Sequence, residues 1–276
     1  MATGYCVRRH FGLEIAHSLA SAGCDLVITS RTLADAEASA ALLAEEHQVK
    51  ARGLALDVSD FSSVEQAAAA AIAAMGKIDI LVNNAGGGSG PGANVGGIFD
   101  RSNEAVESLI QANLMGSFWC CKVFGEHMVS QGYGKIINIG SIAGMVGRND
   151  RMYDKNNMQR QPIDYAVAKS GITGLTLDLA GHLGPSGVRV NMIAPGGFAG
   201  DCVSPNGGIN GDQEPGPGRA GPPAGFIKDF SGGVPLGHMG RDGKDLGGAA
   251  LFLAAAASDY VTGITLPVDG GFSIWH

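Results

Sequence analysis

No stretch of this sequence approaches the ~18 consecutive apolar residues that a membrane-spanning helix requires. The alanine-rich segment 66–75 is long enough only to pack one helix face. Charge is scarce as well. Charged residues make up 16% of the chain against 45% hydrophobic, the balance of a globular protein with a sizeable core. The net charge of −7 leaves no basic footprint for nucleic acid. A small acidic substrate remains compatible with that sign, because one local Arg or Lys can override it. The five cysteines, Cys6, Cys24, Cys120, Cys121 and Cys202, are odd in number and scattered. Neither a disulfide framework nor a CxxC knuckle follows, and buried free thiols in a reducing compartment are expected. The seven histidines never fall into a local ligand pattern, so no metal is expected. No apolar segment opens the chain as a secretory signal would, and the expected location is cytoplasmic.

Glycine is abundant, with 44 residues, a sign of tight turns and close backbone approaches. Apolar β-branched runs at 25–30, 53–58, 78–83, 135–141, 188–193 and 264–268 alternate with helical patterns that start near Gly12, Leu33, Ser62, Asn103, Ile163 and Lys244. The runs are continuous rather than alternating, which implies strands buried on both faces. A repeated βα rhythm of this kind predicts an α/β, doubly wound, mostly parallel sheet with helices on both faces. The 276 residues fit one domain. Two segments interrupt the rhythm: the polar stretch 149–161, and the Gly/Pro/Asn/Asp-rich stretch that begins at Gly196. Ligands of open α/β sheets sit beyond the carboxyl ends of the strands, so both interruptions, the second as region 196–235, are assigned to the substrate side.

Tyr165-Ala166-Val167-Ala168-Lys169 sets a phenol and an ammonium at i and i+4, on one helix face. Alone, the pair says little. Ser141, however, ends a strand upstream, and Asn113 lies earlier in Ala112-Asn113-Leu114-Met115-Gly116. Asn83-Asn84-Ala85-Gly86 follows one strand, Pro195-Gly196 another, and Asp269-Gly270-Gly271 stands near the end. Together these motifs resemble the short-chain dehydrogenase/reductase family over nearly the whole chain from Gly12 onward. The resemblance implies a Rossmann-like fold and a hydride moved between a nicotinamide cofactor and a carbonyl or secondary alcohol. Tyr165 would be the acid/base, and Ser141 its hydrogen-bonding partner on the substrate oxygen. Lys169 would bind the nicotinamide ribose, and Asn113 would anchor a water in a proton relay. Homodimers or homotetramers are common in that family and are expected here. Tyr153 competes with Tyr165, because its spacing from Ser141 is nearer the family's usual one. Four residues beyond it stands Asn157, which carries no charge, and the insertion 149–161 explains the longer spacing to Tyr165. Lowering a free phenol from ~10 to neutrality takes about 4 kcal/mol. An ammonium ~4 Å away at an effective dielectric of ~20 supplies about that much.

By the same resemblance, the residues after the second strand read the adenosine ribose. This chain has Ser30 and Arg31 there and no carboxylate, which favours the 2′-phosphate of NADP and leaves NAD possible. Asp57 and Val58 would contact adenine; Asn84, Ala85, Gly86, Pro195 and Gly196 would line the rest of the cofactor site. The N-terminus departs from the pattern. If Thr3-Gly4 is the family's Thr-Gly, the first strand is missing and the loop is two residues too long. Read backward from Gly12 without gaps, Cys6 and His10 replace two glycines, Arg9 falls where the family often has Arg, and residues 1–5 become a strand stub. Either way the first strand is short or missing, as in a truncated or frame-disturbed start. A Cβ in place of a phosphate-loop glycine costs on the order of 1 kcal/mol or more.

The polar insertion, with Pro195-Gly196-Gly197-Phe198 and segment 234–240, looks like the gluconate 5-dehydrogenase type, which implies a sugar-acid or polyol substrate. Arg148, Arg151 and Arg160 could meet a carboxylate or lie in solvent. The alternatives are a 3-oxoacyl carrier-protein reductase, a non-catalytic binding protein with a damaged cofactor loop, and a methyltransferase on a similar sheet. The last would not explain Tyr165 with Lys169.

Overall fold

The computed structural model describes residues 2–3, 11–87, 97–158, 160–199, 222–241 and 244–275. Cys6, Arg9 and His10, and most of the Gly/Pro-rich stretch after Gly196, lie outside the described residues. Seven strands form one sheet in the order β3-β2-β1-β4-β5-β6-β7, and every pairing is parallel. They are β1 Ala2–Thr3, β2 Leu26–Ser30, β3 Ala51–Ala55, β4 Ile80–Asn83, β5 Gly134–Ile139, β6 Val188–Pro195 and β7 Thr265–Val268. The helices are α1 Phe11–Ser21, α2 Leu33–His47, α3 Phe61–Met75, α4 Asn103–Ile110, α5 Gly116–Gln131, α6 Asp150–Lys155, α7 Ile163–Leu183, α8 Ala224–Gly232 and α9 Gly247–Ala254.

The first strand is short rather than missing. Its two residues sit centrally, with Ala2 opposite Ile28 of β2 and Val82 of β4. The strand order reverses there, which is where an open α/β sheet forms its ligand crevice.

Burial on both faces explains the unbroken apolar runs. Successive β5 residues point to opposite sides, and each side finds a core. Ile136 joins Val27, Leu81, Phe124 and Val190 on the face covered by α3, α5 and α7. Ile137 joins Ile15, Leu19, Ile28, Leu43 and Ile193 on the face covered by α1, α2 and α9. The edge strand β3 is less buried and lies a few residues earlier than its expected span of 53–58. Leu56 and Val58 supplied the misleading apolar signal. They pack beyond the strand, Val58 against a close approach at Gly116, where a Cβ would meet its side chain at 2.8 Å.

The insertion 149–161 is not simply a polar loop. It contains α6, whose Tyr153 ring lies 5.0 Å from that of Phe226 on α8. Lys155 and Asn156 donate to the Asp229 carboxylate at 3.0 and 2.8 Å. Cys120 and Cys121 are buried and free, and burial pushes the Cys120 thiol up to about 12.

The helices on the second face are tied by a carboxylate. Glu14 of α1 is buried, and its Oε1 accepts from the Leu246 and Gly247 amides at 2.6 and 2.7 Å, capping α9. Hydrogen bonds to a charged acceptor are each worth about 1.5–3 kcal/mol. Glu14→Ala is expected to lower the unfolding free energy by about 3 kcal/mol, with Glu14→Gln losing less. Urea denaturation of the three proteins measures both.

Candidate active site

The proposed catalytic residues converge at the carboxyl end of β5. Ser141 follows the strand and opens a 3₁₀ turn, Ile142–Gly144, accepting from the Ala143 amide at 3.1 Å. That turn lies directly on α7: a Cβ on Gly144 would come within 2.7 Å of the backbone at Lys169 and Ser170. This close approach carries Ser141 to Tyr165, and the two side chains are hydrogen-bonded. Tyr165 and Lys169 are both buried, 8% and 4% exposed. Lys169 donates to the Ile139 carbonyl at 2.8 Å, and its nitrogen lies 5.7 Å from the Tyr165 ring centre.

The electrostatics differ from the expectation for the phenol. Burial raises Tyr165 above its ordinary value, while the Ser141 hydrogen bond and the Arg148 charge pull it down by less. Lys169 faces a backbone carbonyl, and burial depresses its own pKa to about 8. The pair therefore holds a neutral phenol beside an amine that is still largely charged at neutral pH. Such a phenol is set to give a proton, and the ammonium to stabilise the phenolate left behind.

Asn113 lies in a π turn, Gln111–Met115, that joins α4 to α5. Such turns frequently mark functional sites. Its side-chain groups are engaged within the protein. Oδ1 accepts from the Gly87 amide at 2.8 Å, and Nδ2 donates to the Gly87 and Leu109 carbonyls at 3.1 and 3.0 Å. Asn113 thus clamps the chain that leaves β4 through Asn84, Ala85 and Gly86. Gly86 has φ +133°, and a Cβ there would strike Asn113 Oδ1 at 2.5 Å.

Several supporting residues had no visible sequence signal. Arg101, just before α4, forms a buried bidentate pair with Asp164, its Nε and Nη2 at 3.1 and 2.7 Å from the carboxylate. That pair fixes the first turn of α7 beside Tyr165. Beneath the site, Asn83 donates to Asn138 at 2.8 Å, and Asn138 donates to Thr176 at 3.0 Å. The acidic first turn of α7 was legible, but its partner lies 63 residues away.

Ser30 ends β2 buried, accepting from the Thr32 amide at 3.3 Å, and Arg31 is exposed beside it. Asp57 is exposed, and Ser59, chiefly through its hydroxyl, holds its carboxyl below the usual range, with Arg31 adding a smaller pull. Gly12 is buried in the first turn of α1. Gly196 leaves β6 against Asp269, whose Cα would be 2.7 Å from an added Cβ. Tyr153 is partly buried in a satellite core with Phe226 and Phe230. Of the three arginines, Arg151 is exposed and Arg160 pairs with Asp150. Arg148 donates through Nη1 to the Gln161 carbonyl and stands 5.9 Å from the Tyr165 ring centre. Among the described residues, its Nη2 is buried without a hydrogen-bond partner.

The residues present fit a nicotinamide cofactor. Lys169 uses one of three N–H donors on protein, leaving two for a vicinal diol. Gly86 and Gly196 let the chains leaving β4 and β6 pack closely on Asn113 and Asp269, where a Cβ would clash.

A buried Ser-Tyr-Lys set at the crevice of a doubly wound sheet defines an oxidoreductase of the short-chain type, and the chain belongs to the short-chain dehydrogenase/reductase family. The family model described as Enoyl-(Acyl carrier protein) reductase matches residues 4–273. The chain is 32% identical over 266 residues to the galactitol 2-dehydrogenase (L-tagatose-forming) of Cereibacter sphaeroides, covering 96% of this chain and 91% of that protein. It is 31% identical to the 3-oxoacyl-[acyl-carrier-protein] reductase of Haemophilus influenzae, covering 95% and 93%. Among solved structures it resembles a gluconate 5-dehydrogenase from Burkholderia cenocepacia, in complex with NADP and tartrate. There the TM-score is 0.78 and the identity 31%, over 96% of this chain and 91% of the other.

The depressed Lys169 gives a signed prediction. Between about pH 8 and the usual lysine value of ~10.4, the folded chain binds fewer protons than the unfolded one, so stability rises with pH there. Below that window the buried charge is a penalty. Lys169→Met is therefore expected to be more stable than the parent at pH 7 by about 1–3 kcal/mol while losing catalysis. The advantage should shrink towards about pH 10. Urea denaturation at the two pH values measures it, and equal stability at pH 7 overturns the assignment.

Proposed function

We propose that this oxidoreductase interconverts a carbonyl and a secondary alcohol on a sugar-acid or polyol-like substrate, with NADP(H) preferred over NAD(H). The observation that carries the reading is the buried Ser141–Tyr165–Lys169 set with the unsatisfied Arg148 Nη2 beside it.

The cofactor would be held by Gly12, by Ser30 and Arg31, by Asp57 and Val58, by Asn84, Ala85 and Gly86, by Lys169, and by Pro195 and Gly196. Bound there, it supplies or accepts the hydride. In the reductive direction Tyr165 donates its phenolic proton to the substrate oxygen, and Ser141 hydrogen-bonds the same oxygen. The protonated Lys169 stabilises the phenolate that remains. In the oxidative direction the phenolate takes the proton back, which needs the phenol to be lowered from the value burial gives it.

NADP preference is supported by Ser30 and Arg31, with no carboxylate to accept from a ribose 2′-hydroxyl, and by the NADP bound to the gluconate 5-dehydrogenase relative. Arg31→Asp adds such a carboxylate. It is expected to shift the ratio of kcat/KM for NADPH over NADH by at least tenfold towards NADH, measured side by side. An unchanged ratio removes Arg31 from cofactor selection.

Substrate class rests on Arg148. A buried guanidinium nitrogen without a partner is costly, and a carboxylate would satisfy it with a charge-assisted bond. A panel of sugar acids, neutral polyols and β-ketoacyl thioesters tests this. Sugar acids are expected to turn over best, and Arg148→Ala to raise their KM at least tenfold while leaving neutral polyols nearly unchanged. Turnover confined to β-ketoacyl thioesters would establish the carrier-protein reductase reading, which the Haemophilus influenzae relative favours. Phe118, Val167 and Leu177, exposed on α5 and α7, support the expected homodimer or homotetramer, since apolar helix faces of this kind are covered by a second copy.

A further inference from the structure

The fold brings together three ligand-type side chains far from the catalytic crevice. His17, in the second half of α1, turns Nδ1 towards Nε2 of His47, the last residue of α2, at 2.9 Å. Glu46 completes a triangle, one carboxylate oxygen 3.5 Å from His17 Nδ1 and the other 4.0 Å from His47 Nε2. No mutual distance within the cluster exceeds 4.8 Å. We propose that His17, Glu46 and His47 form a binding site for a divalent cation of the zinc class, bridging α1 and α2.

The dimensions argue for it. A tetrahedral zinc ion with ligands at 2.0–2.1 Å separates any two of them by about 3.3 Å. The nitrogens lie 2.9 Å apart, and the two carboxylate oxygens stand 3.5 Å from one and 4.0 Å from the other. With one ligand atom from each residue no separation exceeds 4.8 Å, so side-chain shifts of about 1 Å place all three around one ion. Two imidazoles and a carboxylate are the borderline donor set that zinc takes readily, leaving one position for water. Without an ion, the two imidazole nitrogens can share one proton, one donating to the other's lone pair. A cation replaces that proton and uses both lone pairs. Side-chain exposures of 32% for His17, 16% for His47 and 53% for Glu46 leave the cluster reachable from solvent while holding the rings in place. The histidines are 30 residues apart on different helices, which is why no local spacing announced them. The expectation of no metal rested on that spacing alone.

The consequence is mechanical. α1 carries Gly12, and α2 follows Ser30 and Arg31, so the ion would clamp together the helices behind two parts of the cofactor crevice. An ion that binds only the folded chain stabilises it by mass action.

Tag-free protein dialysed against zinc chloride tests the site. One equivalent of zinc per chain and a raised melting temperature are expected. His17→Ala and His47→Ala should weaken zinc binding at least tenfold and abolish the thermal shift. Glu46→Gln, at the most exposed of the three positions, should do so without disturbing the fold if either histidine variant fails to fold. Cobalt(II) in place of zinc should give a visible absorption band that these variants lose. No zinc retained at a tenth of a millimolar, wild-type affinity in a folded His17→Ala or Glu46→Gln, or binding lost on Cys24→Ala instead, would each overturn the proposal.

Discussion

Lys169 places a charged nitrogen inside the protein, where the sheet offers it a single carbonyl, that of Ile139. Much of the surrounding architecture follows from making that tolerable. A buried ammonium is expensive unless it is hydrogen-bonded, and the carboxyl end of a parallel strand is where a carbonyl is left unpaired by the ladder. Helix α7 must therefore cross that strand end closely. Gly144 makes the approach possible, because any side chain there would overlap the α7 backbone. The same approach delivers Ser141 to Tyr165, so one packing constraint sets three functional side chains.

The second constraint is the reversal of strand order beside β1. It opens a crevice at the carboxyl ends of β1 and β4, and the chain after β4 is held through Gly87 without a regular element. Asn113 does this from a π turn, an irregularity that turns the side chain inward from an otherwise continuous helix. Two hydrogen bonds to Gly87 replace those that a strand or helix would have provided, and a third to Leu109 fixes the side chain itself. The arrangement couples catalytic and cofactor halves, since α5 below Asn113 also contributes Cys121 and Phe124 to the core that supports β5.

The alternation of apolar runs and helical patterns was legible because both periods are local. Strand bounds came out within about two residues, and β3 lies slightly further off because an edge strand carries little hydrophobic signal and Leu56 and Val58 beyond it carry more. Tyr165 and Lys169 were legible because four residues of helix set them on one face, and Ser141 because it ends a buried apolar run. Their electrostatics were not. A sequence shows that a lysine can stand four residues from a tyrosine, but not that the ammonium turns to a carbonyl and that burial, opposed by Ser141 and Arg148, raises the phenol. Pairs such as Arg101 with Asp164, or His17 with His47, join side chains that only the tertiary fold brings together, and no local rule finds them.

Catalysis and specificity occupy different kinds of structure here. The Ser141–Tyr165–Lys169 set belongs to the central sheet and its long helix, where burial is nearly complete and a changed side chain costs stability as well as activity. The proposed substrate side rests instead on a satellite cluster of Tyr153, Phe226, Phe230 and Phe272, joined to the insertion by the links from Lys155 and Asn156 to Asp229. Stacked rings, such as Phe230 on Phe272 at 4.6 Å, hold this cluster with few contacts to the main core. Residues there can change shape and charge at small cost to the sheet. Arg148 lies on the seam, touching the Tyr165 ring on one side and the insertion's Gln161 carbonyl on the other. On the proposed function, a substrate carboxylate paired with it would lie close to the proton donor.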